Sequence, residues 1–269
     1  MLSCPERFRN VNSHFGRAAR RRAFSSSSTT IRKLAVAAMS EQNENKLAVG
    51  IVLFDGVTQL DYIGPLTAFA PHFRTYLLHH TLDAVTTDID AVMALPTATF
   101  DQVDHVDILL VPGAPNKHIN RLLCDARFLA QLRRLGSGAQ YITSVCTGSL
   151  LLARAGLLDG FKATSHWSAL EVLAAMGIET VKQRVVHDRN RITAGGVTAG
   201  IDFGLTLVEK LKGLDAAKLT QLMIEYDPAP PINAGSPEGA GEKLTAFARQ
   251  SSKNDVDEGI RIVATPAPL

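Results

Sequence analysis

The stretch AQYITSVCTGSLLLARAGLL, residues 139–158, joins two patterns at a single cysteine. Upstream of Cys146, Tyr141-Ile142-Thr143-Ser144-Val145 is short, mostly apolar and rich in β-branched residues, the composition of a buried strand. Downstream, Thr147-Gly148-Ser149 opens a Leu/Ala-rich segment that stops at Gly156, as a helix with a glycine C-cap does. A strand that turns directly into a helix holds the junction residue in a tight turn at the sheet's C-terminal edge, over the helix's orphan N–H groups. This is a nucleophile elbow, with cysteine where hydrolases place serine. The helix N-terminus favours thiolate over thiol, so the sulfur is expected to ionise below the ~8.5 of a free cysteine. Neighbouring amides can also hydrogen-bond an anion that develops during reaction. The alternative is a small apolar residue packed at a strand end, but the small, polar Thr-Gly-Ser that follows suits an open pocket better than a core.

Working outward, strands and helices alternate. Leu47 to Phe54 is an apolar run of parallel-strand length ending in the turn Asp55-Gly56. A helical patch follows, expected to break and restart at Gly64-Pro65. Strands are predicted at 75–80 and 108–111, with a hairpin or loop over 97–103. An amphipathic helix is predicted over 121–135. Beyond the elbow come a helix from 165 or 167 to 176, short strands at 184–187 and 191–194, and a helix over 198–211. This alternation implies an α/β fold with a mostly parallel sheet covered on both faces. Cys146 then sits at the edge where open α/β sheets bind ligands. After Tyr226 the composition turns to Pro, Gly and Ser, predicting a surface wrap without regular structure. Residues 238–269 read as a C-terminal helix or tail, partly disordered, and frayed from about 251.

Composition bounds the function. The chain has 269 residues, 46% hydrophobic and 20% charged, which fits one globular domain or at most two. Its three cysteines, Cys4, Cys124 and Cys146, imply no disulfide framework and point to a reducing compartment. No apolar run approaches the roughly 18 residues of a membrane span. The net charge of +2 conceals an asymmetry: residues 1–38 hold eight basic residues and one acidic one, leaving 20 basic and 25 acidic over 39–269. The globular part is therefore acidic, and nucleic-acid binding loses its electrostatic footing. The leader, residues 1–44, is Arg- and Ser-rich, the composition of a mitochondrial transit peptide. Met39 reads as a second start that would give a cytoplasmic form.

Partners for the cysteine must come from other loops on the same edge. Asp61 follows the first strand among Leu, Tyr, Ile and Pro, surroundings that raise a carboxyl pKa and suit a general acid; a helix-capping role is the alternative. Gly113, at the end of another strand, can bring backbone N–H groups to a ligand, although a plain turn glycine explains it as well. His166 is read as a helix-start histidine bonded to backbone in preference to a base for the cysteine. The Gly195-Gly196 turn lacks a dinucleotide fingerprint and reads as a close strand-to-helix turn. The eight histidines show no metal-ligand spacing.

SVCTGSLLLARAGLLDG (144–160), the Thr-Ser-His-Trp at 164–167, ITAGGVTAGIDFGL (192–205), EYDPAPPINAGSP (225–237) and FDGVTQLDYIGP (54–65) together resemble the ThiJ/PfpI superfamily, and most of all its isonitrile hydratase branch. The resemblance covers residues 47–237. It implies a flavodoxin-like (class I glutamine amidotransferase-like) sandwich, a homodimer, a small-molecule substrate and no cofactor or metal. It assigns the nucleophile to Cys146, the acid hydrogen-bonded to it to Asp61, and the neighbouring hydroxyl to Thr147. The family's Pro-Gly-Gly turn stands here as Pro112-Gly113-Ala114, which keeps both N–H groups as oxyanion donors but adds a methyl to the pocket wall. Gly195, Gly196 and His166 complete the pocket. Protease-like members carry histidine after the cysteine; Thr147 in that place argues against peptidase activity. The implied reaction is hydration of an isonitrile through a cysteine thioimidate. The alternatives are a glyoxalase-type activity, a cysteine-based redox sensor, or a ligand-binding module like that of AraC-type regulators. The last is disfavoured because about thirty residues follow Pro237, without a helix-turn-helix pattern.

Overall fold

The computed structural model describes residues 46–268, so the leader expected over residues 1–44, with Met39 and the choice of compartment, lies outside them. The central sheet has seven strands in the order β10-β11-β7-β6-β1-β2-β5. Here β1 is Ala48–Val52, β2 Arg74–His79, β5 Ala98–Thr99, β6 Ile108–Val111, β7 Tyr141–Val145, β10 Val185–Asp188 and β11 Arg191–Ala194. All neighbours pair in parallel except β10 and β11. Every residue of β1 and β6 is buried, which is why those runs show no polar alternation. Two small ladders stand apart: the hairpin β3 (Val85–Thr86) with β4 (Met93–Ala94), and β8 (Lys162–Ala163) with β9 (Glu179–Thr180).

The helices form two packed groups. One contains α1 (Gln59–Phe69), α6 (Ala199–Lys212) and α7 (Leu214–Met223). The other contains α2 (Asn116–Leu122), α3 (Ala126–Gly138), the elbow helix α4 (Gly148–Arg154), α5 (Leu170–Ala175) and α8 (Glu242–Val263). The chain runs from β1 outward to β2 and β5, then crosses back to β6 on the other side of β1. The switch point thus lies between β1 and β6; Asp61 follows β1 in the first turn of α1, and Gly113 follows β6.

Three local expectations are corrected and one helix is added. The helix after β1 does not break at Gly64-Pro65: α1 is continuous, with the proline ring seated 3.1 Å from where a side chain on Gly200 of α6 would begin. The single helix expected over 121–135 is two, because Asp125 caps α3 by accepting the Phe128 N–H at 2.9 Å. The run after Gly213, given no element in the sequence reading, is the helix α7. The tail from 251 is ordered into α8, despite its polar composition, since Val256, Ile260 and Val263 present one apolar face to the body. The buried Arg154 guanidinium holds its exit by donating to Leu123 O (3.1 Å), Thr265 O (2.7 Å) and Pro266 O (3.1 Å). Residues 227–236 do lack regular structure. Among the described residues no helix is long and apolar enough to cross a membrane.

Candidate active site

Cys146 stands between β7 and α4 with φ 58°, in the left-handed region that costs a non-glycine residue roughly 1 kcal/mol or more. Two things hold it there. Its N–H is tied to the carbonyls of Ala194 (3.0 Å) and Gly195 (2.8 Å) at the end of β11, and its carbonyl accepts from Ser165 Oγ (3.1 Å). Gly148 lets the turn close on β6: a Cβ there would lie 2.0 Å from the Val111 carbonyl oxygen. The elbow read from the sequence is thus present, strained and fixed from both neighbouring strands.

Asp61 lies in the first turn of α1 and is wholly buried. Its Oδ2 accepts the Gly113 N–H at 2.9 Å. Its Oδ1 is buried without a hydrogen-bond partner among the described residues, and the Cys146 thiol lies close enough to favour the carboxylate. Burial raises the Asp61 pKa to about 7, against the opposing pull of the Gly113 amide and the thiol. The burial expected from its apolar neighbours, and the raised pKa that follows from it, are therefore present.

The thiol behaves otherwise than the helix end alone predicts. Burial pushes the Cys146 pKa well above its ordinary value, and the Asp61 carboxylate adds to the rise. The Thr147 and Val197 N–H groups pull the other way without overcoming it. The correction has a plain cause: α4 is only seven residues long, whereas the sulfur is sealed in beside a potential anion. Burial thus favours the protonated form of both groups.

The expected oxyanion donors are also redirected. The Gly113 amide serves Asp61. The Ala114 amide donates to Thr147 Oγ1 at 3.0 Å, and that hydroxyl donates back to Ala114 O at 2.8 Å. With the Cys146 N–H also engaged, these groups position the site's side chains and are not free for an anion. The reciprocal bonds likewise hold Thr147 in place and leave its hydroxyl little freedom to orient water. The Val197 N–H, which the sequence reading missed, faces the sulfur from the loop after Gly195-Gly196. Its signal was its place at the start of a helix following a strand end.

His166 caps the short turn Trp167–Ala169, its Nδ1 accepting the Ser168 N–H at 3.4 Å and meeting Ser168 Oγ at 2.8 Å. None of its hydrogen bonds reaches Cys146; burial lowers its pKa, and its ring lies over Gly196. His166, Gly195, Gly196 and Val197 all line a cavity of about 460 Å³ beside the elbow. Among the described residues no three His, Cys, Asp or Glu side chains converge as metal ligands.

The sequence and fold have relatives among known proteins. The profile of the DJ-1/PfpI family matches residues 48–210. The chain is 43% identical over 206 residues to the isonitrile hydratase of Pseudomonas putida, covering 76% of this chain and 89% of that protein. The crystal structure of a ThiJ/PfpI family protein from Pseudomonas syringae superposes with a TM-score of 0.78 at 39% identity, covering 82% of this chain and 92% of that one. The HTH-type transcriptional regulator GbdR of Pseudomonas aeruginosa is 32% identical over 202 residues, which span 69% of this chain but 52% of the regulator.

Proposed function

The chain belongs to the DJ-1/PfpI family, and we propose that it hydrates isonitriles to N-substituted formamides, with Cys146 as nucleophile and Asp61 as proton carrier. The observation that carries this reading is the buried carboxyl beside the thiol, poised by burial to exchange a proton near neutrality. The likeness to isonitrile hydratase over nine-tenths of that enzyme's length supports the substrate class.

An isonitrile is uncharged and electrophilic at carbon, so it can enter a buried site without desolvating an ion. Sulfur bonds to that carbon, and the proton held between thiol and Asp61 passes to the same carbon, giving a thioimidate. Water adds across the C=N bond, its hydroxyl to carbon and its proton to nitrogen. The C–S bond then breaks as the hydroxyl proton returns through Asp61 to the pair, and the formamide leaves. The Thr147 and Val197 amides, which face the sulfur, stabilise the departing thiolate. The steps call for no metal or organic cofactor.

The proposal includes a homodimer, supported by Leu214, Leu219, Leu222 and Met223 of α7, all more than half exposed. A second reading, a ligand-binding module, is favoured by the likeness to GbdR. One assay separates them: cyclohexyl isocyanide, and separately methylglyoxal, are offered to wild type and Cys146→Ser. Hydration predicts formamide from wild type alone; binding without turnover supports the module, and lactate from methylglyoxal would favour the glyoxalase.

A further inference from the structure

We propose that the cavity beside the elbow holds a carboxylate on the substrate, so that the preferred isonitriles are anionic; this rests on the hydratase reading. At about 460 Å³ the space is far larger than an isonitrile group and within the range of small-molecule sites. Its walls are of two kinds. Trp167, Leu170 and Ala199 give an apolar side, while Lys182, Arg184 and Arg249 bring three cations against the single acid Glu238. Residues 39–269 as a whole have more acids than bases, 25 to 20, so the cavity reverses the sign of the body around it.

The cations differ in how far they are engaged. Arg184 is fixed by Asp202 and by Thr198 Oγ1 at 3.1 Å, with Tyr226 Oη donating to Asp202 at 2.9 Å, so it forms a rigid wall whose charge is largely answered. Among the described residues Arg249 pairs with Glu171 alone, at 4.0 Å with both side chains exposed, an arrangement that contributes little. Lys182 makes no ion pair among the described residues. Glu238 turns first to backbone N–H and to Ser236, with Lys182 the weakest of its attractions. Two cations thus remain available to an anion, and one of them, Arg249, comes from the C-terminal helix beyond the family-matched region.

The chemistry sets the orientation. A carboxylate cannot be brought against Asp61 in its buried site without repulsion, whereas a neutral isonitrile carbon can. Val197 links the two places, its amide facing the sulfur and its residue lining the cavity. A substrate with an isonitrile at one end and a carboxylate at the other fits this polarity, and remote binding of the charge can then position the reacting carbon.

The test compares isocyanoacetate and 4-isocyanobutanoate with their methyl esters in steady-state hydration. It is run on the full chain, on Lys182→Ala and on Lys182→Ala/Arg249→Ala. The expectation is a kcat/KM for at least one carboxylate about five- to tenfold above its ester, shrinking with added salt and falling to about one in the double variant. Esters hydrated as well as both acids would overturn the inference and leave the hydratase reading standing. Should no isonitrile be hydrated, calorimetric binding of N-formylglycine against its methyl ester decides. A preference for the anion that is lost in the double variant supports the site without the reaction, and no preference overturns it.

Discussion

The carboxyl of Asp61 and the thiol of Cys146 share one buried site, and burial raises the proton affinity of both. In the proposed hydration the reactive unit is the pair holding one proton between them. Below the Asp61 pKa of about 7 the pair carries two protons and has no base to release the thiol. The kcat/KM for an isonitrile should accordingly rise with slope one up to about pH 7 and then level off. A rate that instead declines from pH 6 to pH 8 would mean the doubly protonated pair is the active form.

The same shift has a consequence for stability. A carboxyl raised from the ordinary ~3.9 in the unfolded chain binds its proton more tightly when folded. Its stabilising contribution is complete below the unfolded value and is lost as pH climbs through about 7. Asp61→Asn keeps an acceptor for Gly113 but does not titrate. Its stability relative to wild type should improve between pH 4.5 and pH 8, by about 3 kcal/mol. Urea unfolding at the two pH values measures this, and a difference that does not change with pH would contradict the assignment.

Thr147 Oγ1 both accepts from and donates to the Ala114 backbone. Thr147→Val should leave a buried N–H and C=O unpartnered, lowering stability by about 1–3 kcal/mol and disturbing the loop that holds Asp61. Thr147→Ser should restore most of both. If the valine variant matches wild type in thermal unfolding, the reciprocal bonds do not matter.

Arg154 ties the elbow helix to Leu123 O after α2 and, through the carbonyls of Thr265 and Pro266, to the chain just beyond α8. Arg154→Met removes the donors while keeping an apolar stem. We expect a loss of about 2–4 kcal/mol and faster amide exchange concentrated in residues 242–263. Exchange in α8 indistinguishable from wild type would show that the clamp is dispensable.

How much of this was legible in the sequence follows from where each signal resides. The elbow was readable because a β-branched run, a cysteine and a Gly-containing helix start are adjacent in the chain. Asp61 was readable because its apolar neighbours are local and imply burial. The direction of the thiol pKa was not, since the sulfur is buried beside Asp61 and the Val197 amide, both far away in sequence. Nor were the commitments of the Gly113, Ala114 and Cys146 amides, which depend on three-dimensional partners. The ordering of α8 was hidden because its apolar positions are sparse, and its anchor, Arg154, lies more than a hundred residues earlier.

The central claim is that Cys146 bonds to the isonitrile carbon before water does. Wild type mixed with cyclohexyl isocyanide, acid-quenched on the millisecond scale and weighed intact should show a transient gain equal to one whole isonitrile, mapped to the peptide containing Cys146 and absent in Cys146→Ser. Formamide produced with no such adduct at any time, or at an undiminished rate by Cys146→Ser, would contradict it.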